Sequence, residues 1–279
     1  MNDTVREYCS YGKFIVPLLR YKRSVTPKEC RWGDKDQYFL YFPSPAKKED
    51  KLVIYIHGGG WNSNSPKRHD FVGQTIAREG YDCAMLGYRK SPKHRYDEIA
   101  DDVFTGYVKL CEFLKENGKT YAKTVLAGSS AGAHLAAILL FDEEQKSGYG
   151  IGDDAFAGLV SMAGPLSFSR KQTGSLNYLL KDLFGTKDRE VWKKGEPILK
   201  MSALSGVKVR LIQSEHDGLV GYEQARDFYA KAKELGMDAK FYDVTDKWNT
   251  HSAYCVGVFL VGPKRSNTLR KTLEMIGEI

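Results

Sequence analysis

Six short apolar runs recur along the chain, at 52–57, 81–86, 123–128, 156–162, 207–213 and 239–244, each rich in Val, Ile, Leu or Tyr. Runs of this length and composition, bounded by polar and glycine-containing turns, predict buried β-strands. Between them lie longer stretches in which apolar residues return every three to four positions, at 67–79, 97–117, 131–141, 221–235 and 266–276. That spacing predicts amphipathic helices. Strands alternating with helices imply an α/β architecture, a mostly parallel sheet with helices on both faces, because right-handed crossovers deliver them there. The run YFLYFP at 38–43 alternates less clearly and closely precedes another strand, which predicts an antiparallel edge.

Two stretches break this rhythm. Residues 1–36 carry Tyr8, Tyr11, Ile15 and Leu18 at helical spacing, predicting an amphipathic helix before the sheet begins. Residues 165–205, with Leu176, Leu179, Leu180, Leu183 and Phe184, read as one or two helices inserted between strands. No internal repeat or low-complexity linker interrupts the chain, so a single domain over 1–279 is expected.

Composition narrows the class. With 279 residues, 42% hydrophobic and 28% charged, the chain has enough apolar material for a large core, which excludes disordered and collagen-like sequence. The longest apolar runs, 14–19 and 133–141, fall well short of the roughly 20 residues a membrane span needs. Asp3 and Glu7 precede the first apolar patch and Arg20, Lys22 and Arg23 follow it, the reverse of a signal peptide, so a cytoplasmic protein is expected. The five cysteines are widely spaced with no CxxC pair, which predicts reduced thiols rather than disulfides or a zinc cage. The net charge of +7 is concentrated between Pro165 and Lys208, where Lys171 and other basic residues outnumber acidic ones. Without an aromatic RNA-binding motif this reads as a solvated surface, and no nucleic-acid partner is expected.

Two motifs carry chemistry. Gly128-Ser129-Ser130-Ala131-Gly132 follows a predicted strand and opens a predicted helix, the context a GxSxG nucleophile elbow requires, with Ser130 held out at the sheet's carboxyl edge. His57-Gly58-Gly59-Gly60-Trp61 also follows a strand directly. Its glycines let backbone N–H groups turn inward as donors to an oxyanion, and the absence of GxGxxG and GxxxxGK[ST] argues against a phosphate loop.

A serine nucleophile needs a base. Of His57, His69, His94, His134, His216 and His251, the best candidate is His251, expected in a loop (DKWNTHSAY) after the last predicted strand. The orienting carboxylate should follow the preceding strand, where Asp217 stands before glycine in a turn and Glu215 is its rival. The chain order is then Ser130, Asp217, His251.

From about Tyr38 onward the chain resembles the hormone-sensitive-lipase-like and carboxylesterase group of α/β-hydrolases. Besides HGGGW and GSSAG, residues Tyr88 to Tyr96 (YRKSPKHRY) followed by Asp102-Val103 resemble the group's YRLSPEHPFP segment, and Gly132-Ala133-His134-Leu135 is similar to the SAGGHLA continuation of small bacterial esterases and kynurenine formamidases. Ser129 and Glu196-Pro197 depart from the group's Asp or His before the nucleophile and its SP before the penultimate strand. The resemblance implies an α/β-hydrolase fold with a small helical lid from 1–36 and 165–205, and a triad of Ser130, His251 and Asp217. It also implies oxyanion donors at Gly59, Gly60 and Ala131, with Gly58 shaping the turn, Trp61 at the substrate, and no metal or organic cofactor. The function so implied is hydrolysis of a small-molecule ester with a short acyl group, including acetyl groups on carbohydrate. An arylformamidase is the alternative enzyme, and a non-catalytic binding protein on the same fold is the alternative class.

Overall fold

The computed structural model describes residues 3–170 and 172–279, without the side chains at 4, 8, 9 and 11. The expected roles of Tyr8 and Tyr11 on a helix face, and of Lys171 in the basic segment, lie outside the described residues. Two short helices, α1 (Asp3–Ser10) and α2 (Ile15–Arg20), precede the sheet. Then come β1 (Lys28–Arg31), β2 (Tyr38–Phe42), β3 (Lys51–Ile56), α3 (Asp70–Arg78), β4 (Asp82–Leu86), α4 (Tyr96–Glu116), β5 (Lys123–Ser129), α5 (Ala131–Phe141) and α6 (Glu143–Gly148). After β6 (Gly158–Met162), the helices α7 (Gly174–Phe184), α8 (Arg189–Trp192) and α9 (Pro197–Lys200) form the inserted segment. The chain ends with β7 (Lys208–Gln213), α10 (Tyr222–Glu234), β8 (Asp238–Asp243), a π-helical turn (Ala253–Gly257), α11 (Val258–Val261) and α12 (Asn267–Glu278).

The strands form one eight-stranded sheet in the order β1-β2-β4-β3-β5-β6-β7-β8. β2 is antiparallel to both β1 and β4, and every pairing from β4 to β8 is parallel. The pleat divides each central strand between two cores: Leu52, Ile54 and Ile56 of β3 pack on one face, Val53 and Tyr55 on the other. Because both faces are covered, these strands are continuously apolar rather than alternating. Helix α5 is buried at all eleven positions, which explains why it reads as apolar all round.

The expectation that residues 1–36 lie outside the sheet is corrected at Lys28–Arg31, which form its antiparallel edge. Three of those four side chains are exposed, so the strand carries no apolar alternation to announce it. In the insertion, α7 starts at Thr173, whose hydroxyl accepts the Leu176 N–H at 3.2 Å and donates to the Leu219 carbonyl at 2.7 Å. It stops at Gly185, which adopts the left-handed conformation at φ 73°. Leu176, Leu180 and Leu183 face inward while Tyr178, Lys187 and Arg189 are exposed or largely so. Glu196, the departure before β7, is buried and its carboxylate accepts the backbone N–H groups of Phe168 and Ser169. A buried acceptor satisfied in this way fixes the turn that leads into the insertion. Among the described residues no helix is long and apolar enough to cross a membrane.

Candidate active site

At the end of β5 the backbone reverses through Ser130, which sits at φ 52° and ψ −125°. A non-glycine residue in such a region costs on the order of 1–3 kcal/mol and persists only where its surroundings dictate it. Here they do. The Ser130 N–H donates to the Met162 carbonyl at 2.8 Å, and its carbonyl accepts the Ala133 and His134 N–H groups at 2.9 and 3.1 Å. Gly132 completes the turn because a Cβ there would stand 2.0 Å from the Ile56 carbonyl oxygen, and α5 could not approach the end of β3. The two serines of the elbow differ in burial: Ser129 is fully buried and accepts the Tyr55 hydroxyl at 2.8 Å, while Ser130 is partly exposed on a cavity that both border.

The cavity, of about 660 Å³, is also bordered by Gly58, Gly59, Gly60, Trp61 and His251. Gly59 and Gly60 both have positive φ, 126° and 57°, which turns the loop after β3 sharply. The Gly59 carbonyl is held inside that turn by the Asn62 and Ser63 N–H groups at 3.2 and 3.0 Å. Leu179 of α7 lies against Gly60 so closely that a Cβ would be 2.9 Å from its Cδ2. Ala131 is the first residue of α5, where an N–H has no intrahelical acceptor.

Trp61 touches the cavity but is only 1% exposed. Its indole N–H donates to His134 Nδ1 at 3.3 Å, and His134 Nε2–H donates to the Gly195 carbonyl at 2.7 Å. Burial lowers the His134 pKa to about 4, so the ring is neutral and can bridge a donor and an acceptor. Trp61 and His134 therefore pin the glycine loop, the elbow helix and the insertion together.

Asp217 follows β7 in a turn. Its Oδ1 accepts the Leu219 and Val220 N–H groups at 2.9 and 2.8 Å. Its Oδ2 accepts His251 Nδ1 at 2.7 Å and the Tyr254 hydroxyl at 2.5 Å. A carboxylate only accepts, so Nδ1 carries the proton and Nε2 holds the lone pair. The rival Glu215 is exposed, whereas the Asp217 side chain is fully buried. His251 opens the helical segment that widens into the π-helical turn rather than lying in a loop. Burial pushes its pKa down, but the charge and hydrogen bond of Asp217, with a smaller contribution from Glu7, outweigh it and leave the pKa raised. The other cavity histidine, His69, has no carboxylate partner among the described residues, and burial lowers its pKa to about 4.

Glu7 and Tyr254 are participants that the sequence does not announce equally. Glu7 reaches in from α1, is 1% exposed and accepts the Ser252 N–H at 2.9 Å. It is 244 positions from His251, and no local pattern marks it. Tyr254 is three residues beyond His251, a spacing that would have placed it beside that imidazole had a helix been predicted there. Among the described residues no group of three or more His, Cys, Asp or Glu side chains is arranged to hold a metal ion.

The BD-FAE family model matches residues 39–232. The chain belongs to the BD-FAE family. This BD-FAE protein is 25% identical over 252 residues to the kynurenine formamidase of Danio rerio, covering 88% of the chain and 81% of the relative. It is 29% identical over 121 residues to a probable isoprenylcysteine alpha-carbonyl methylesterase of Oryza sativa subsp. japonica, a match that spans 43% of the chain and 29% of the rice protein. Among solved structures, esterase B from Lactobacillus rhamnosis superposes with a TM-score of 0.78 at 17% identity, covering 99% of the chain and 92% of the esterase. The hyperthermophilic esterase of Pyrobaculum calidifontis gives 0.76 at 15%, with coverage of 99% and 92%. The BD-FAE chain thus has the α/β-hydrolase fold of the esterase type.

Proposed function

We propose that the chain is a serine carboxylesterase that hydrolyses short-acyl esters. The observation that carries this reading is the Asp217–His251 pair opening on the same cavity as a serine held in a strained elbow. Ser130 Oγ attacks the acyl carbon while His251 Nε2 takes its proton, and Asp217 holds the imidazole in the required tautomer. The oxyanion is met by the N–H groups of Ala131, Gly59 and Gly60. As the tetrahedral intermediate collapses, the C–O bond to the alcohol breaks and His251 returns the proton to that oxygen. Water, deprotonated by the same nitrogen, then releases the acid and frees Ser130. Residues 165–205, with α7 across the glycine loop, act as the lid in this reading, and α1 and α2 cover the His251 side.

Leu176 and Leu179 border the cavity and in this reading close its acyl side, so acetate and butyrate nitrophenyl esters are expected to outpace esters of about ten carbons in kcat/KM. A rate that climbs with chain length would overturn the short-acyl assignment. The long match to a kynurenine formamidase favours a second reading, cleavage of an N-formyl amide by the same residues. Running N-formylkynurenine and acetylated xylo-oligosaccharide beside the ester series separates formamidase, carbohydrate deacetylase and general esterase.

The base must be neutral to accept a proton, so activity is expected to fall as pH drops through the raised pKa of His251, above the ordinary imidazole value of about 6.5. Glu7 contributes to that elevation. Glu7→Gln keeps an acceptor for Ser252 and removes the charge, and should move the acidic limb of the kcat/KM profile to lower pH. An unmoved limb would mean that Glu7 does not act on the base electrostatically.

A further inference from the structure

Behind the glycine loop lies a cluster that the triad does not use, with His57 and Tyr88 fully buried and Lys90 partly so. The Lys90 ammonium sits 3.6 Å from the centroid of the Tyr88 ring, donates to the Tyr88 carbonyl, and reaches His57 Nε2 at 3.3 Å. The His57 ring stacks on Tyr88 with centroids 4.5 Å apart. Its Nδ1 is 2.8 Å from the carbonyl oxygen of Gly58. A carbonyl only accepts, so Nδ1 carries the hydrogen, and an ammonium only donates, so Nε2 offers the lone pair. Burial, together with Lys90 and His69 nearby, holds the His57 pKa well below its ordinary value, which keeps the ring neutral.

These bonds form a directed chain from Lys90 through the His57 ring to the Gly58 carbonyl. That carbonyl shares one peptide unit with the Gly59 N–H. Amide resonance couples the two, so a donor on the oxygen draws charge from the nitrogen and makes its hydrogen a stronger donor. We propose that Lys90 is a positioning residue whose positive charge, relayed through His57, strengthens the Gly59 N–H toward the oxyanion that forms during acyl transfer. The inference rests on the serine-esterase reading above.

A merely structural lysine would be expected to have a carboxylate partner, because burying an unpaired ammonium is costly. Among the described residues Lys90 makes no ion pair. The carboxylates whose charge reaches it are Asp36 and Asp102, and Asp102 is bound by Arg89, whose Nε lies 2.9 Å from both of its oxygens. The other groups facing the cluster are His69, Arg68 and the Tyr88 hydroxyl, which donates to the His57 carbonyl at 3.0 Å. Burial lowers the Lys90 pKa, Asp36 and Asp102 partly restore it, and it ends at about 8. The charge is therefore present at neutral pH and lost as pH rises through that value.

The test measures kcat and KM for nitrophenyl butyrate from pH 6 to 10 in the wild type, Lys90→Met and Lys90→Arg. Lys90→Met is expected to lower kcat about tenfold at neutral pH with KM little changed, and to abolish an alkaline limb centred near pH 8. Lys90→Arg, which cannot lose its charge in this range, should keep most of kcat and extend it to pH 10. Wild-type kcat and an unmoved alkaline limb in Lys90→Met overturn the relay. Should Lys90→Met not fold, an alkaline limb in Lys90→Arg at the wild-type midpoint overturns it equally. Labelling of the wild type by a phosphonate that reacts with activated serine reports the nucleophile separately. A failed label sinks the esterase reading itself, whereas a labelled enzyme indifferent to Lys90 sinks the relay alone.

Discussion

Ser130→Ala is expected to reduce ester turnover by about four to six orders of magnitude while the melting temperature stays near that of the wild type. The fold should survive because everything that holds the elbow belongs to the backbone: the bond from the Ser130 N–H to Met162, the two bonds its carbonyl accepts, and the contact of Gly132 with the end of β3. Alanine keeps the same Cβ at the same positive φ and removes only the hydroxyl. Residual activity would come from the oxyanion donors acting on water. The neighbouring hydroxyl makes the opposite forecast. Ser129 accepts the Tyr55 hydroxyl in a fully buried site, so Ser129→Ala leaves that phenol without an acceptor and costs about 1–3 kcal/mol of stability. Its kcat should remain close to wild type. Should Ser129→Ala be the inactive variant in a folded protein, the register of the elbow is wrong.

How far these positions were legible before the fold was known depends on how local their signals are. β3 to β7 announce themselves because a strand covered on both faces is mostly apolar, while the edge strand β8, largely unburied, shows only through Ala239, Phe241 and Tyr242; the observed bounds differ from the expected ones by a few residues at most. β1 does not, since KECR at an exposed edge has no apolar face. Ser130 and the glycine loop are legible because sharp turns demand glycine at fixed offsets, a constraint written within five residues. Asp217 and His251 stand out through chain order and turn chemistry, and only the fold sets the exposed Glu215 apart from the buried Asp217. Glu7, Tyr55 and Lys90 meet their partners only on folding, and each residue type alone suggests nothing more than a surface charge or a core ring. Trp61 shows the converse. It borders the cavity, and no local pattern tells that its indole N–H turns inward to His134, where a buried ring nitrogen finds its partner.

Asp217→Asn should lower kcat/KM by about three to four orders of magnitude, in a protein that still folds and still has its nucleophile. The reason lies in how the two oxygens are used. Oδ1 is fixed by the Leu219 and Val220 N–H groups, both donors, so the asparagine must keep its carbonyl oxygen there. Its NH2 then replaces Oδ2 and faces His251 Nδ1 and the Tyr254 hydroxyl, where only an acceptor served before. A donor at that point favours the tautomer with its proton on Nε2, and that nitrogen can no longer take the proton from Ser130. Flipping the amide restores the acceptor for His251 but sets NH2 against two backbone donors, so neither orientation is satisfied. Tyr254→Phe removes one donor to the same oxygen and leaves the tautomer intact, and should cost far less. Glu215→Gln, at an exposed position, should leave kcat/KM within about twofold of wild type, as surface substitutions away from a site do. Steady-state kinetics on the three variants, with melting curves to show that each is folded, distinguish the carboxylates. If Glu215→Gln is the more damaging change, Asp217 is not the residue that orients the base.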